Sequence, residues 1–114
     1  MQQNAIEKGG AAAAAILGRI FRNVPFGFAA KLWDGERVHL GASGEPFTLV
    51  FRDRETFRRL MLRPNTLRFA TAYVQGELEV EGDLFAAIRL ANRIEELRLS
   101  LADRMVIISS LAKL

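Results

Sequence analysis

The sequence predicts an α+β domain, with an antiparallel sheet of about four to five strands covered by helices, and three observations carry that prediction. Phe26, Phe28, Ala30 and Leu32 alternate with Gly27, Ala29 and Lys31, and an Asp34-Gly35 pair follows Trp33. Glu77-Leu78-Glu79-Val80-Glu81 alternates again between Gly76 and Gly82. The segments on either side switch to the helical repeat, with apolar residues three and four apart.

Taken in order, the first ten residues, ending Gly9-Gly10, read as a flexible start. Ala13, Ile16, Leu17, Ile20, Phe21 and Val24 then form one helical stripe with Arg19 and Arg22 off it. That stripe fits either a helix packed on the domain or a basic amphipathic helix at a membrane interface. Pro25 ends it, which divides the chain into an arm over 1–24 and one domain over 25–114. Asp-Gly between alternating runs predicts a hairpin with a tight primed turn, Glu36 to Leu40 returning with His39 in or beside it. After Gly41-Ala42-Ser43-Gly44, a third strand over Phe47 to Phe51 continues the meander.

Asp53 is the N-cap expected for a helix from Arg54 to Leu62, with Phe57, Leu60 and Met61 on its apolar face. Pro64-Asn65 breaks it. Thr66 to Gln75 reads as a short helix turning Leu67, Ala70, Tyr73 and Val74 inward. The strand over Glu77 to Glu81 buries Leu78 and Val80 and turns three carboxylates out. Asp83 caps a final helix in which Leu84, Ala87, Ile88, Ala91, Ile94 and Leu97 or Arg98 keep the repeat, and Met105 to Leu111 continues or restarts it.

Composition narrows the function. The chain has 114 residues, half hydrophobic and a quarter charged, with no cysteine and one histidine. That length buries roughly 65% of the unfolded surface in one core and excludes a large nucleotide-binding enzyme. No apolar run approaches the ~20 residues of a membrane span. Without cysteine, disulfide frameworks, thiol nucleophiles and cysteine zinc sites are excluded, and a single histidine excludes a histidine metal cluster.

The net charge is +3, and 13 of the 16 basic residues are arginine. Residues 1–70 carry +5 and residues 71–114 carry −2, an asymmetry that directs one face toward anions. The densest basic segment holds Arg52, Arg54, Arg58, Arg59, Arg63 and Arg68. Aromatic partners for stacking bases are scarce beside it, so nucleic acid is a poor fit and a lipid surface or a protein a better one. Glu77, Glu79 and Glu81 lie about 6.8 Å apart on one strand face. They fit a solvated face, or partners for arginine, better than a calcium site, which also needs carbonyl ligands. His39 has no nucleophile the sequence can pair with it. The Gly41–Gly44 loop lies between strands and opens no helix, so it lacks the phosphate-binding pattern.

Leu32-Trp33-Asp34-Gly35, Phe47 to Asp53, Leu62-Arg63-Pro64-Asn65 and, most specifically, Ala72 to Leu84 resemble the amino-terminal region of cyclopropane-fatty-acyl-phospholipid synthases. The last motif is also similar to sterol-carrier-protein-2-like domains. The resemblance implies a sheet-and-helix fold with an apolar, lipid-accommodating groove. It further implies a methyltransferase domain that uses S-adenosylmethionine; that domain is absent from this chain, which is therefore expected to be non-catalytic and to bind no cofactor or metal itself. The expected partners are phospholipid or a membrane surface, the methyltransferase domain, and a second copy of the chain. The expected location is cytoplasmic, peripheral at the inner membrane surface. Phe26, Phe28, Phe57, Tyr73 and Phe85 are the candidates for lining the groove, and the six arginines from Arg52 to Arg68 are the candidates for anionic headgroups. The other reading is a protein-interaction module that docks on the catalytic domain or forms the dimer.

Overall fold

The computed structural model describes residues 2–22, 24, 26–41, 44–94 and 99–114, with side chains from residue 11 onward. Helix α1 (Gln2–Ile20) leads into strands β1 (Phe28–Lys31), β2 (Arg37–Leu40) and β3 (Phe47–Phe51). Helices α2 (Arg54–Leu62) and α3 (Thr66–Val74), strand β4 (Leu78–Gly82) and helices α4 (Leu84–Ile94) and α5 (Leu101–Leu111) complete the order. The expected α+β class holds. Helix α1 starts earlier than the Gly9-Gly10 pair predicts, because extending a formed helix needs no new nucleus. Pro25, Ala42, Ser43, Leu97 and Arg98 lie outside the described residues.

The sheet is mixed rather than wholly antiparallel, in the order β2-β1-β3-β4. β1 pairs antiparallel with β2 and parallel with β3, and β3 pairs antiparallel with β4. The expected meander would place β2 in the centre. Burial explains the difference. Phe28, Ala29 and Ala30 are buried on both faces of β1, whereas β2 exposes Arg37 and His39, so β1 takes the central place and β2 the edge. The hairpin also departs from a two-residue primed turn. Leu32 N–H donates to the Glu36 carbonyl at 2.8 Å, leaving a three-residue loop in which Gly35 alone has positive φ. Asp34 Oδ1 accepts from Glu36 N–H at 2.9 Å and braces that loop.

The register divides the sheet into two unlike faces. Phe28, Ala30, Phe47, Leu49, Phe51, Leu78 and Val80 share one face, and the helices cover it. The α1 stripe from Ala13 to Val24 is buried there, as a helix packed on the domain requires. Phe21 meets Phe28 edge-on at 5.5 Å, Phe28 stacks on Phe47 at 5.2 Å, and Phe57 of α2 meets Phe51 edge-on at 5.0 Å. The opposite face buries Ala29 and Thr48 at its centre, Thr48 accepting from Arg37 at 3.0 Å, and exposes Arg37, His39 and Glu81 around them.

Asp53 caps α2 by accepting from Thr56 N–H at 2.7 Å, as its position predicts. Helix α5 is a restart and not a continuation of α4: Ser100 and Asp103 form a reciprocal capping box. Asp103 is also buried between α5 and α1, where Arg19 and Arg22 each approach it at 3.3 Å. The Ser100 N–H, more than the two arginines, holds its carboxyl below the usual carboxylate range.

Candidate functional site

Two backbone features shape the space beside β4. Gly76 has φ +79° and closes α3, letting Glu77 N–H donate back to the Ala72 carbonyl at 2.9 Å. Gly82 has φ +98°, and a Cβ there would lie 2.6 Å from the Pro46 carbonyl oxygen. Asp83 N–H donates to that same carbonyl at 2.9 Å, and the Asp83 side chain accepts from Ala86 N–H at 3.2 Å to start α4. The chain thus turns sharply at each end of β4, and α3 and α4 both stand over the covered face of this edge strand. Thr66 Oγ1 donates to the Ala91 carbonyl at 2.7 Å and ties the start of α3 to α4.

Between these elements lies an apolar groove of about 220 Å³. Leu49, Leu78 and Val80 form its floor, Phe69, Ala70 and Tyr73 one wall, and α4 from Leu84 to Ile94 the other. Tyr73, Leu84 and Ile88 remain about half exposed at its mouth, with Val74 and Phe85 more exposed beside them on the same two helices. The space exceeds the roughly 150 Å³ of an engineered apolar cavity that holds benzene. Among the described residues that line it there is no carboxylate, amide or basic side chain, only the Tyr73 hydroxyl. Its chemistry is that of a hydrocarbon site.

The α3 expectation needs correction. Phe69 and Ala72 are the buried residues of that helix, while Leu67 and Val74 are exposed and Ala70 and Tyr73 face the groove. Pro64-Asn65 starts the helix at Thr66, with Asn65 Oδ1 accepting from Arg68 N–H at 2.8 Å, and that phase points Phe69 at the core.

Among the five aromatic candidates, Tyr73 lines the groove. Phe28 and Phe57 are fully buried in the core, Phe26 is half-buried against Phe47, and Phe85 is 76% exposed on α4 outside the groove lining. The groove's other residues come largely from the α4 stripe Leu84, Ala87, Ile88, Ala91 and Ile94. With Phe85, Ala86 and Leu90 added, α4 is apolar around most of its circumference, more than one buried face requires.

The six arginines do not form one free face. Arg52 pairs with Glu79, and Arg59 pairs with Glu77 at 2.7 Å. Arg58 donates to the Leu111 carbonyl at 3.3 Å, and Arg54 lies over the Trp33 ring at 6.0 Å. Arg63 is exposed, and Arg68 is half-buried with its Nε unpaired among the described residues. Two of the three carboxylates Glu77, Glu79 and Glu81 are therefore partners of arginine. On the sheet face away from the helices, Glu45 accepts from Arg37 at 2.9 Å and lies 2.8 Å from His39 Nδ1. The Arg37 contact first, and His39 second, lower its pKa.

No helix among the described residues is long and apolar enough to cross a membrane. The family described as "Domain of unknown function (DUF7884)" matches residues 16–101, three quarters of the chain. The chain is also 36% identical over 66 residues to a "Probable fatty acid methyltransferase" of Pseudomonas putida. That similarity covers 58% of this chain and 16% of the relative, so the chain spans a small part of that protein's length. No solved structure matches it.

Proposed function

We propose that this chain, which belongs to the DUF7884 family of domains of unknown function, is the non-catalytic lipid-engaging domain of a cyclopropane-fatty-acyl-phospholipid synthase-type enzyme. It recruits or presents phospholipid acyl chains to a separate methyltransferase domain. The single observation that carries this reading is the groove, apolar along its length and open at Tyr73, Leu84 and Ile88. The name of the Pseudomonas putida relative, a probable fatty acid methyltransferase, supports the same link to a lipid methyltransferase.

Helix α4 holds the chain by shape, and the side chains at the mouth meet the acyl segment that remains outside. In this reading the methyl donor, S-adenosylmethionine, belongs to the separate domain. Arginines such as Arg54 and Arg63, which no carboxylate engages among the described residues, supply attraction to anionic headgroups at the membrane surface.

The test is flotation of the chain with anionic and zwitterionic vesicles, with uptake of a fluorescent fatty acid measured in parallel for the chain and for Ala91→Phe. Uptake that Ala91→Phe abolishes while the fold stays intact is the expected result. Equal uptake by both proteins would overturn the reading. A docking module is the second reading, favoured by Leu101, Met105 and Ile108, which form a mostly exposed stripe along α5.

A further inference from the structure

The two helices that wall the groove carry apolar side chains onward over the surface. On α3, Val74 is 82% exposed and Leu67 75%, next around the helix from Tyr73 and Ala70 in the groove wall. On α4, Phe85 is 76% exposed beside the half-exposed Leu84 and Ile88. A path across the groove from α3 to α4 therefore follows one apolar band, with the open mouth at its middle. Holding Leu67, Val74 and Phe85 in water stabilises nothing within the fold, and a contiguous apolar patch of this kind marks a contact surface.

Charge distinguishes what covers the band. A helix turns about 100° per residue, so Arg68 lies on the side of α3 away from Tyr73, and Arg89 on the side of α4 away from Ala91. An arginine thus borders the band along each outer flank, and neither α3 nor α4 holds an acidic residue. Asp83, just before α4, is turned to Ala86 N–H as its cap. A second copy laid on the band by a two-fold axis would set arginine flank against arginine flank. An anionic lipid leaflet matches both parts: acyl chains meet the band, and arginine stems lie along it with their charge at the level of the phosphates.

We propose that this band is the face by which the protein docks on an anionic phospholipid leaflet, with Leu67, Val74 and Phe85 dipping into the interface and the groove mouth turned onto the acyl layer. The inference rests on the acyl-chain reading above and adds the docking surface and its orientation. An acyl chain entering between Tyr73 and Ile88 then passes from leaflet to groove without crossing water. The exposed α5 stripe of Leu101, Met105 and Ile108 contributes no residue to the groove lining, and so serves as the control surface.

The experiment is co-sedimentation with vesicles of phosphatidylcholine and phosphatidylglycerol. It is run on the native protein, on Val74→Asn/Phe85→Asn, and on Leu101→Asn/Met105→Asn. Neutral replacements hold the charge constant, so a change in binding reports lost insertion and not lost attraction. Each protein is also titrated with cis-parinaric acid in vesicle-free buffer, and melted. Val74→Asn/Phe85→Asn is expected to bind vesicles about tenfold to hundredfold more weakly, since burying one such side chain is worth about a factor of ten. Its uptake of cis-parinaric acid and its thermal midpoint should match those of the native chain, and the α5 variant should bind vesicles as the native chain does. Equal vesicle binding by all three proteins, absence of binding included, or a loss confined to the α5 variant would overturn the docking face and leave the groove standing. So would a dimer, seen by sedimentation equilibrium, that Val74→Asn/Phe85→Asn dissolves without any vesicle binding. A native chain that needs Val74 and Phe85 to bind vesicles, yet takes up no cis-parinaric acid, would refute the acyl-chain reading and uphold this face.

Discussion

Replacing Gly82 with alanine tests how the groove is built. The residue sits at φ +98°, where an L side chain is strained by about 1–2 kcal/mol. The added Cβ would lie 2.6 Å from the Pro46 carbonyl oxygen, which is backbone and cannot swing aside. Relieving that clash displaces the carbonyl that accepts from Asp83 N–H at 2.9 Å, a hydrogen bond worth about 1 kcal/mol. The sum is about 2–3 kcal/mol. With an unfolding entropy near 2.1 cal/mol/K per residue, the 114-residue chain loses about 4 °C per kcal/mol, so Gly82→Ala should melt about 8–12 °C lower. Gly18→Ala is the matched control. It lies inside α1 with nothing within 4 Å of its added Cβ, and should gain about 0.5–1 kcal/mol. Circular dichroism melts of both variants decide the matter. A Gly82→Ala midpoint equal to that of the native chain would refute the close approach that starts α4 over the groove.

Three further outcomes follow from the packing and the charges. Phe57→Ala, which empties a fully buried site between Phe51 and Trp33, should cost about 3–5 kcal/mol by denaturant titration. The carboxyls of Asp53, held low chiefly by Thr56 N–H, and of Asp103, held low chiefly by Ser100 N–H, contribute stability that is complete above the ordinary carboxylate pKa of about 4. It is lost as pH falls through their lower folded values, so the melting temperature should drop below pH ~4, and less steeply in Asp53→Asn. The exposed Arg59–Glu77 pair should show a coupling of only about 0.2–1 kcal/mol in a double-mutant cycle.

Much of this architecture is written in local pattern. The α2 boundaries, its Asp53 cap, the phase of β3 and the inward pair Leu78 and Val80 follow from periodicity and capping alone. The strand order does not, because pairing β1 with β3 is a long-range choice decided by burial on both faces of Phe28-Ala29-Ala30. The groove was legible only in part. A helical stripe reports that Leu84 and Ile88 are apolar, and cannot report that no neighbour covers them. Likewise the arginine run reads as one basic face until tertiary contacts pair Arg52 with Glu79 and Arg59 with Glu77 and leave Arg63 exposed.

The most direct test of the central claim, an acyl chain held between α3, α4 and β4, is photolabelling with a fatty acid carrying a diazirine in mid-chain, mapped by mass spectrometry. Labels on Tyr73, Val80, Ile88 and Ala91, suppressed by excess oleate, are the predicted result. Labels confined to α5 at Leu101, Met105 and Ile108, or absent at saturating fatty acid, would contradict it.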